Sequence, residues 1–501
     1  MYWSYDTSYT PNPRLSAVTK RKRNRPVLKR LRRQAVETDF DGGTLTSDGG
    51  LTLLREVDRR LDLIRRVAAA IPDPRDPDYT THTQEEILTS RIFGIAAGYE
   101  DANDHDSLRH DPAFQVAAGR SPAQNDYSEK SENTPLASPA THSRFENRVT
   151  SKDIFKMHEI LVDTFLDSYD APPEEIILDY DATDDTVHGN QERRHFNGFY
   201  DSYCYLPLYV FCGDQLLVSY LRPSSVGAAH HASAVTRLLV NKIRSRWPGV
   251  RIILRGDSGY AIAKLMRWCD NHDVGYVFGL QKNNTLVREI ACEMTRARIQ
   301  QAQLGGEQAC FKWFRYRTTK SWDRHRWVIG KAEYTGKGAN PRFVVTNLPS
   351  EEGIVDTTFH RPLIDGKQVQ QIKTPGTVAW PTTNPEVFYR EIYCARGEME
   401  NRIKEQQMCL FADRTSCSRF MANQFRLMLS SFAYVLVDGL RRLALSGTAE
   451  ARWRVDTIRL RLFKIAARVK VTCRRVMFHL CSHCPWAPIF EDVMDRLCRS
   501  D

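Results

Sequence analysis

The stretch Ile176–Asp185, IILDYDATDD, sets four carboxylates within seven residues, directly behind three aliphatic side chains. Ile176, Ile177 and Leu178 read as a buried strand, and on a strand Asp179 and Asp181 project to one face. Carboxylates held so close resist burial unless a cation neutralises them. Acidic groups on the face of a central strand suit a hard divalent cation that takes oxygen ligands. The competing reading is a strand that ends in an acidic turn, with Asp184 and Asp185 in water. Two further acids bear on the choice. Asp257, in Arg255-Gly256-Asp257-Ser258-Gly259, closes the aliphatic run Val250–Leu254, and in open α/β sheets ligand-binding groups gather at such carboxyl ends. Taken alone, Asp-Ser-Gly is a turn. Glu400 lies four residues from both Arg396 and Lys404, on one face of a predicted helix over 387–412. A surface salt-bridge ladder is the competing reading there.

The elements that must position these acids alternate in an ordered way. Strand Glu175–Asp181 is followed by Tyr203–Cys212 and Gln215–Leu221, joined through Gly213-Asp214 in a hairpin-like turn. A helix carrying Val235, Leu238, Leu239 and Ile243 stops at Trp247-Pro248-Gly249. Strand Val250–Leu254, a helix through Ile262, Leu265, Met266 and Trp268, and strand Val274–Phe278 complete the unit. Three antiparallel strands followed by parallel crossovers is the order of the ribonuclease-H-like fold. In that arrangement the fourth strand lies beside the first, so Asp257 is expected to face Asp181.

Outside this unit, residues 1–38 read as a disordered tail in which Lys20–Arg33 has nine basic residues in fourteen, Lys20, Arg21, Lys22 and Arg23 among them. Such a run suits phosphate contact. Residues 39–172 read as a helical domain with a DNA-binding role. Its first helix has Ser47 or Asp48 as cap and Leu51, Leu54, Val57, Leu61 and Ile64 at helical spacing, and Thr83 with Glu86 forms a capping box for the next. Residues 173–280 are the first part of the core. Residues 281–385 read as a β-rich insertion ending in a long loop, with a helix over Thr285–Ile299 and short strands after it. Its Trp313 and Trp327 suit sheet packing or DNA stacking. Residues 386–501 complete the core with Glu400 and C-terminal helices. There Arg461, Lys464, Arg468 and Arg475 imply a basic amphipathic helix over Ile458–Val476. His479, Cys481, His483 and Cys484 are too tightly spaced for an ordinary zinc site, which joins two separated pairs.

Composition agrees with a nucleic-acid partner. The 501 residues carry a net charge of +10, which favours an anionic ligand. No apolar run is long enough for a bilayer span and no export signal opens the chain, so a cytoplasmic location and twelve reduced cysteines are expected.

The motifs together resemble one family. Leu178–Asp185 with His188–Glu192 (HGNQE), Phe199–Leu217, Arg255–Tyr260 with Met266–Leu280, Tyr393–Gln407 and Leu410–Cys417 are similar to bacterial insertion-sequence transposases of the DDE superfamily, in the group called transposase DDE domain group 1. Thr46–Leu61 and Phe93–Arg109 resemble it too, so the likeness spans roughly residues 40–500. The resemblance implies an α/β, ribonuclease-H-like catalytic core with a β-rich insertion between the second and third acids, flanked by helical regions. It implies Asp181, Asp257 and Glu400 as catalytic, metal-holding acids, with Asp179 the alternative first acid. Two Mg²⁺ ions, or Mn²⁺ in their place, would serve metal-dependent DNA cleavage and strand transfer. The partners implied are double-stranded DNA, as inverted-repeat ends and target, and further copies of the chain at the nucleoid. Tyr393 and Arg396 would orient phosphates. The family pattern has a lysine seven residues after the glutamate, where this chain has Gln407. Lys404 is the nearest downstream lysine. Rival readings are a ribonuclease-H-like nuclease that cuts without joining, and a DNA-binding protein that has lost catalysis.

Overall fold

The computed structural model describes residues 27–122, 135–348 and 384–499. Lys20, Arg21, Lys22 and Arg23, and the loop 353–382, lie outside the described residues.

A nine-stranded mixed sheet organises the chain. Its strands are β1 (Glu175–Ala182), β2 (Leu208–Cys212), β3 (Gln215–Tyr220), β4 (Arg251–Gly256), β5 (Val274–Leu280), β6 (Gln308–Tyr316), β7 (Arg326–Thr335) and β8 (Arg342–Thr346), with a two-residue strand, Gly338–Ala339, pairing off β7. They lie in the order β3-β2-β1-β4-β5-β8-β7-β6. β1, β4 and β5 run parallel, while β1-β2-β3 are antiparallel. The first five strands therefore follow the ribonuclease-H-like order. The strands after residue 300 join the same sheet, because β8 pairs antiparallel with β5.

Period-two alternation gives the sheet two different faces. Ile176, Leu178 and Tyr180 of β1, Ile252 and Leu254 of β4, and Val274, Tyr276 and Phe278 of β5 enter one apolar core. Residues of helices Ala232–Arg246 and Ala263–Asn271, the two parallel crossovers, join the same core. Ile177, Ile253 and Val277 point the other way, into a smaller cluster closed by Phe388, Tyr389 and Ile392. Asp179, Asp181 and Arg255 share that second face by the same alternation. Trp313 belongs to this cluster, 2% exposed and edge-on to Phe388 at 5.2 Å. It packs the sheet and is not open to DNA.

A third core joins the two ends of the chain. Helices Leu51–Leu61, Leu63–Ala70 and Gln84–Ala97 share it with Phe420–Leu440 and Ala487–Cys498. Phe420–Leu440 is buried almost all round, as expected of a helix apolar on every face. No described helix is long and apolar enough to cross a membrane. Strand Leu45–Thr46 also pairs with Ala467–Thr472.

Several local expectations change. Gly50, rather than Ser47 or Asp48, caps the first helix. Asp48 is drawn away by Lys464 Nζ at 2.6 Å and accepts the Tyr99 hydroxyl at 2.8 Å. A left-handed Asp62 (φ 51°) splits that helix before Leu63. The run Tyr203–Cys212 is two strands, Ser202–Tyr205 and β2, because Pro207 between them lacks the N–H a ladder needs. The helix over Thr285–Ile299 breaks at Ile290 into Asn284–Glu289 and Ala291–Leu304. The basic helix over Ile458–Val476 is overturned. Only Val455–Phe463 is helical, and Ala467–Thr472 and Arg475–Leu480 form a hairpin, since Val469, Val471 and their polar neighbours alternate with period two. Arg461 lies over the rings of Trp486 (4.0 Å) and Trp453 (4.6 Å). Val27–Leu31 and Gln34–Glu37, within the expected tail, pair as a hairpin.

Candidate active site

β4 pairs with β1 in parallel so that Arg255 lies beside Asp179 and Gly256 beside Tyr180. One residue further on, Asp257 comes level with Asp181. The two acids of β1 have different neighbours. Asp179 is 3% exposed and is clamped by Arg255, whose Nε donates to Oδ1 at 2.5 Å and Nη2 to Oδ2 at 2.7 Å. The remaining Arg255 nitrogen, Nη1, donates to the Ile392 carbonyl at 2.6 Å. This bidentate pair is a buried structural tie between two strands and the segment crossing them. Asp181, at the strand's end, is open enough to meet other groups. Its Oδ2 accepts from Arg396 Nη1 at 3.3 Å.

Arg396 also reaches Glu400, Nη2 to Oε1 at 2.7 Å. It stands one position before helix Gly397–Leu410, so Arg396 and Glu400 are one helical turn apart. The predicted ladder exists in its first rung, and its guanidinium is shared with Asp181. Lys404, one turn further, is exposed. Burial pushes the Asp181 carboxyl up to about 6, opposed by Arg396 and aided by Asp257 and Glu400. Asp181 therefore senses the charges of the other two acids. Asp257 caps the short turn Ser258–Tyr260, its Oδ1 accepting from Gly259 N at 2.9 Å. It is both a turn residue and a member of the cluster.

Tyr393 closes the other side. A Cβ built on Gly279 of β5 would stand 2.7 Å from its hydroxyl and 2.9 Å from Ser258 N. Only glycine lets the Tyr393 phenol and the Asp257 turn meet above β5. Burial raises this phenol, opposed by Arg396.

Gln407, the departure from the lysine pattern, has a place of its own. Its Nε2 donates to the Asp184 carbonyl at 3.1 Å and to Asp185 Oδ1 at 3.2 Å. Asp185 is fully buried rather than solvated. Sequence reasoning missed Arg255, whose signal was its position one residue before the glycine that precedes Asp257.

Among the described residues no group of three His, Cys, Asp or Glu side chains stands at ligating distance, neither these acids nor His479, Cys481, His483 and Cys484. For the acids the reason is visible. Arg396 sits between Asp181 and Glu400 as the cation of the cluster. The donor set is all oxygen and acidic, the ligand chemistry a hard divalent ion takes.

Carboxylates at the ends of adjacent parallel strands and on an adjoining helix define an α/β protein with an acidic cluster at one edge of its central strands. The family is equally plain. The model described as transposase DDE domain group 1 matches residues 28–501, and the chain belongs to that family. No curated protein matches it by sequence. Among solved structures it is similar to the piggyBac transposase in a cryo-EM synaptic complex with hairpin DNA, at 11% identity and a TM-score of 0.39 over 83% of this chain and 79% of that one.

Proposed function

We propose that the chain is a DNA transposase that cuts at the inverted-repeat ends of an insertion sequence and joins them to target DNA. The observation that carries this reading is the single guanidinium shared by Asp181 and Glu400 beside Asp257, while the neighbouring Asp179 is spent on Arg255. Asp181, Asp257 and Glu400 would hold two Mg²⁺ ions, with Mn²⁺ able to substitute. Such ions activate the attacking oxygen and stabilise the leaving one. Arg396, released from the acids, is positioned to pair with the phosphate under attack, a bidentate contact that guanidinium geometry favours. The Tyr393 hydroxyl is a donor on the same side. Lys404 and the basic run Lys20, Arg21, Lys22 and Arg23 would track the DNA backbone, whose charge governs affinity. Paired ends imply a homo-oligomer, working where DNA is, at the nucleoid in the cytoplasm.

The test is cleavage of a labelled duplex carrying the repeats that flank the gene, with Mg²⁺ and with EDTA. Wild type should cut at the repeat ends only with metal, Asp257→Ala should bind without cutting, and joined products should appear with target DNA. Cutting without joining would replace this reading with that of a nuclease. Binding without any cutting, in Mg²⁺ or Mn²⁺, would overturn the catalytic reading.

A further inference from the structure

The chain between β1 and β2 builds a small sheet that no step above uses. Strand Asp185–Thr186, just past Asp181, pairs with Ser202–Tyr205, and His195–Asn197 pairs with the same strand on its other side. Through Pro207 that strand runs on into β2, the partner of β1. The hairpin 195–205 therefore stands directly at the carboxyl end of β1, beside the acids.

Its outer side is aromatic. Phe199 at the tip is 87% exposed, and Phe196 and Tyr203 are each nearly half exposed. Phe196 and Tyr203 are cross-strand partners with rings 5.5 Å apart, and Phe199 meets Tyr200 edge-on at 4.9 Å. One cation borders these rings: the Arg194 guanidinium lies 4.8 Å over Tyr203, while Arg193 packs over Phe420. The tip is held rather than loose. Phe199 N donates to Asn197 Oδ1 at 2.9 Å, Asn197 Nδ2 to the Ser224 carbonyl at 3.0 Å, and Ser224 Oγ to the His195 carbonyl at 2.9 Å. Tyr200 turns inward to the cleft, and its phenol is pushed up to about 12 by burial and by the charges of Asp184 and Asp181.

Phe196, Phe199 and Tyr203 expose aromatic surface together on one hairpin, and contiguous exposed apolar patches mark interaction sites. The site beside it is acidic, but Arg194 at the hairpin's base sets a cation against its aromatic faces. That pairing suits a single-stranded polyanion with flat bases, whose phosphates meet cations while its bases stack on rings. We propose that Phe199 is a nucleobase-stacking residue that takes an unpaired base of the DNA strand next to the phosphate held at Asp181, with the Phe196–Tyr203 pair beside it. The inference rests on the transposase reading for where the DNA lies.

Two readouts keep it separable from that reading. The first uses the full chain carrying Asp257→Ala and a short single-stranded DNA with one central 2-aminopurine, whose fluorescence falls when it stacks. Phe199→Ala should weaken binding roughly tenfold, the scale of one base–aromatic stack, and abolish the quench. Phe199→Trp should keep both. The second uses an otherwise wild-type chain on duplex ends. Phe199→Ala should slow cleavage of fully paired ends about tenfold, and mismatches flanking the cut, which unpair the base in advance, should restore it. Unchanged affinity and quench in Phe199→Ala would overturn the inference. If the wild type fails to cut, the transposase reading falls, and the single-strand arm still decides for or against the stacking role.

Discussion

Asp179 and Asp181 are two positions apart on one strand face, and their surroundings assign them different work. The Arg255 clamp on Asp179 is buried on both sides, with side-chain exposures of 9% and 5%. Removing one partner of a buried pair strands the other charge and costs about 3–5 kcal/mol. Asp179→Ala should therefore lose stability on that scale, visible as a lower urea midpoint, whether or not DNA is present. Asp181→Ala breaks a partly exposed contact to Arg396 and a local bond from the Ala182 amide. It should fold with a midpoint close to wild type, retain DNA binding and lose all detectable cleavage. An Asp181→Ala protein that cuts would exclude it as the first acid. Gly279 gives a third residue-scale test. A methyl there would collide with the Tyr393 hydroxyl and the Ser258 amide, and a displacement of about 1 Å at reacting groups costs on the order of a hundredfold in rate. Gly279→Ala should fold, bind DNA and cut about a hundredfold more slowly. A wild-type rate would mean that the Tyr393 contact does not matter to the chemistry.

At the scale of elements, the helix Gly397–Leu410 must hold Glu400 against β1 although Glu400 itself is half exposed. Glu405 is the anchor. It is 2% exposed, pairs with Arg441, accepts from Val455 N at 2.5 Å and meets Arg402 at 3.4 Å. One carboxylate thus ties the helix to the end of Phe420–Leu440 and to the start of Val455–Ile458. Glu405→Ala should cost about 3–5 kcal/mol and reduce cleavage in parallel, since Glu400 rides on the same helix. Full activity in a destabilised Glu405→Ala chain would separate the anchor from the site. The same helix marks how far sequence reaches. The parallel core was legible because Ile176–Leu178, Val250–Leu254 and Val274–Phe278 are short apolar runs of the kind buried strands show, separated by helices with clear stops. The four-residue spacing of Arg396 and Glu400 was legible for a similar reason. That Arg396 would reach Asp181 was not, because 215 residues separate them and no local pattern encodes that contact. The Ile458–Val476 stretch misled because its cations fall near helical spacing, while the alternation of Val469 and Val471 is what decides the backbone. Arg461 and Lys464 are taken up by Trp486 and Asp48, partners that lie outside the stretch itself.

At the scale of the whole molecule, the two ends of the chain form one core, so a weakness among the N-terminal helices is felt throughout. The most titratable part of that core is a pair of imidazoles, His105 and His142, both fully buried with ring centroids 4.2 Å apart and planes tilted by 34°. Both nitrogens of His105 and Nδ1 of His142 lack hydrogen-bond partners, and His142 Nε2 lies 3.5 Å from Ser90 Oγ. Burial, with His142 and Arg91 adding repulsion, drives His105 down to about 2, and burial with Arg91 drives His142 down to about 3. In the unfolded chain both return to the ordinary value of 6.5. Below that pH the unfolded state binds protons that the folded state refuses. Their contribution to stability is therefore fully present above about 6.5 and is lost as pH falls towards the folded values. Each proton is worth about 1.4 kcal/mol per pH unit in that window, so the pair should remove about 3 kcal/mol between pH 7.5 and 5.5. Urea unfolding at pH 7.5, 6.5 and 5.5 should show that loss in wild type, and a His105→Gln/His142→Gln chain should show a shallower slope by the same amount. The comparison concerns slope, so it holds even if the glutamines lower stability at every pH. Parallel curves for the two proteins would mean that these imidazoles are protonated, or solvated, in the folded chain.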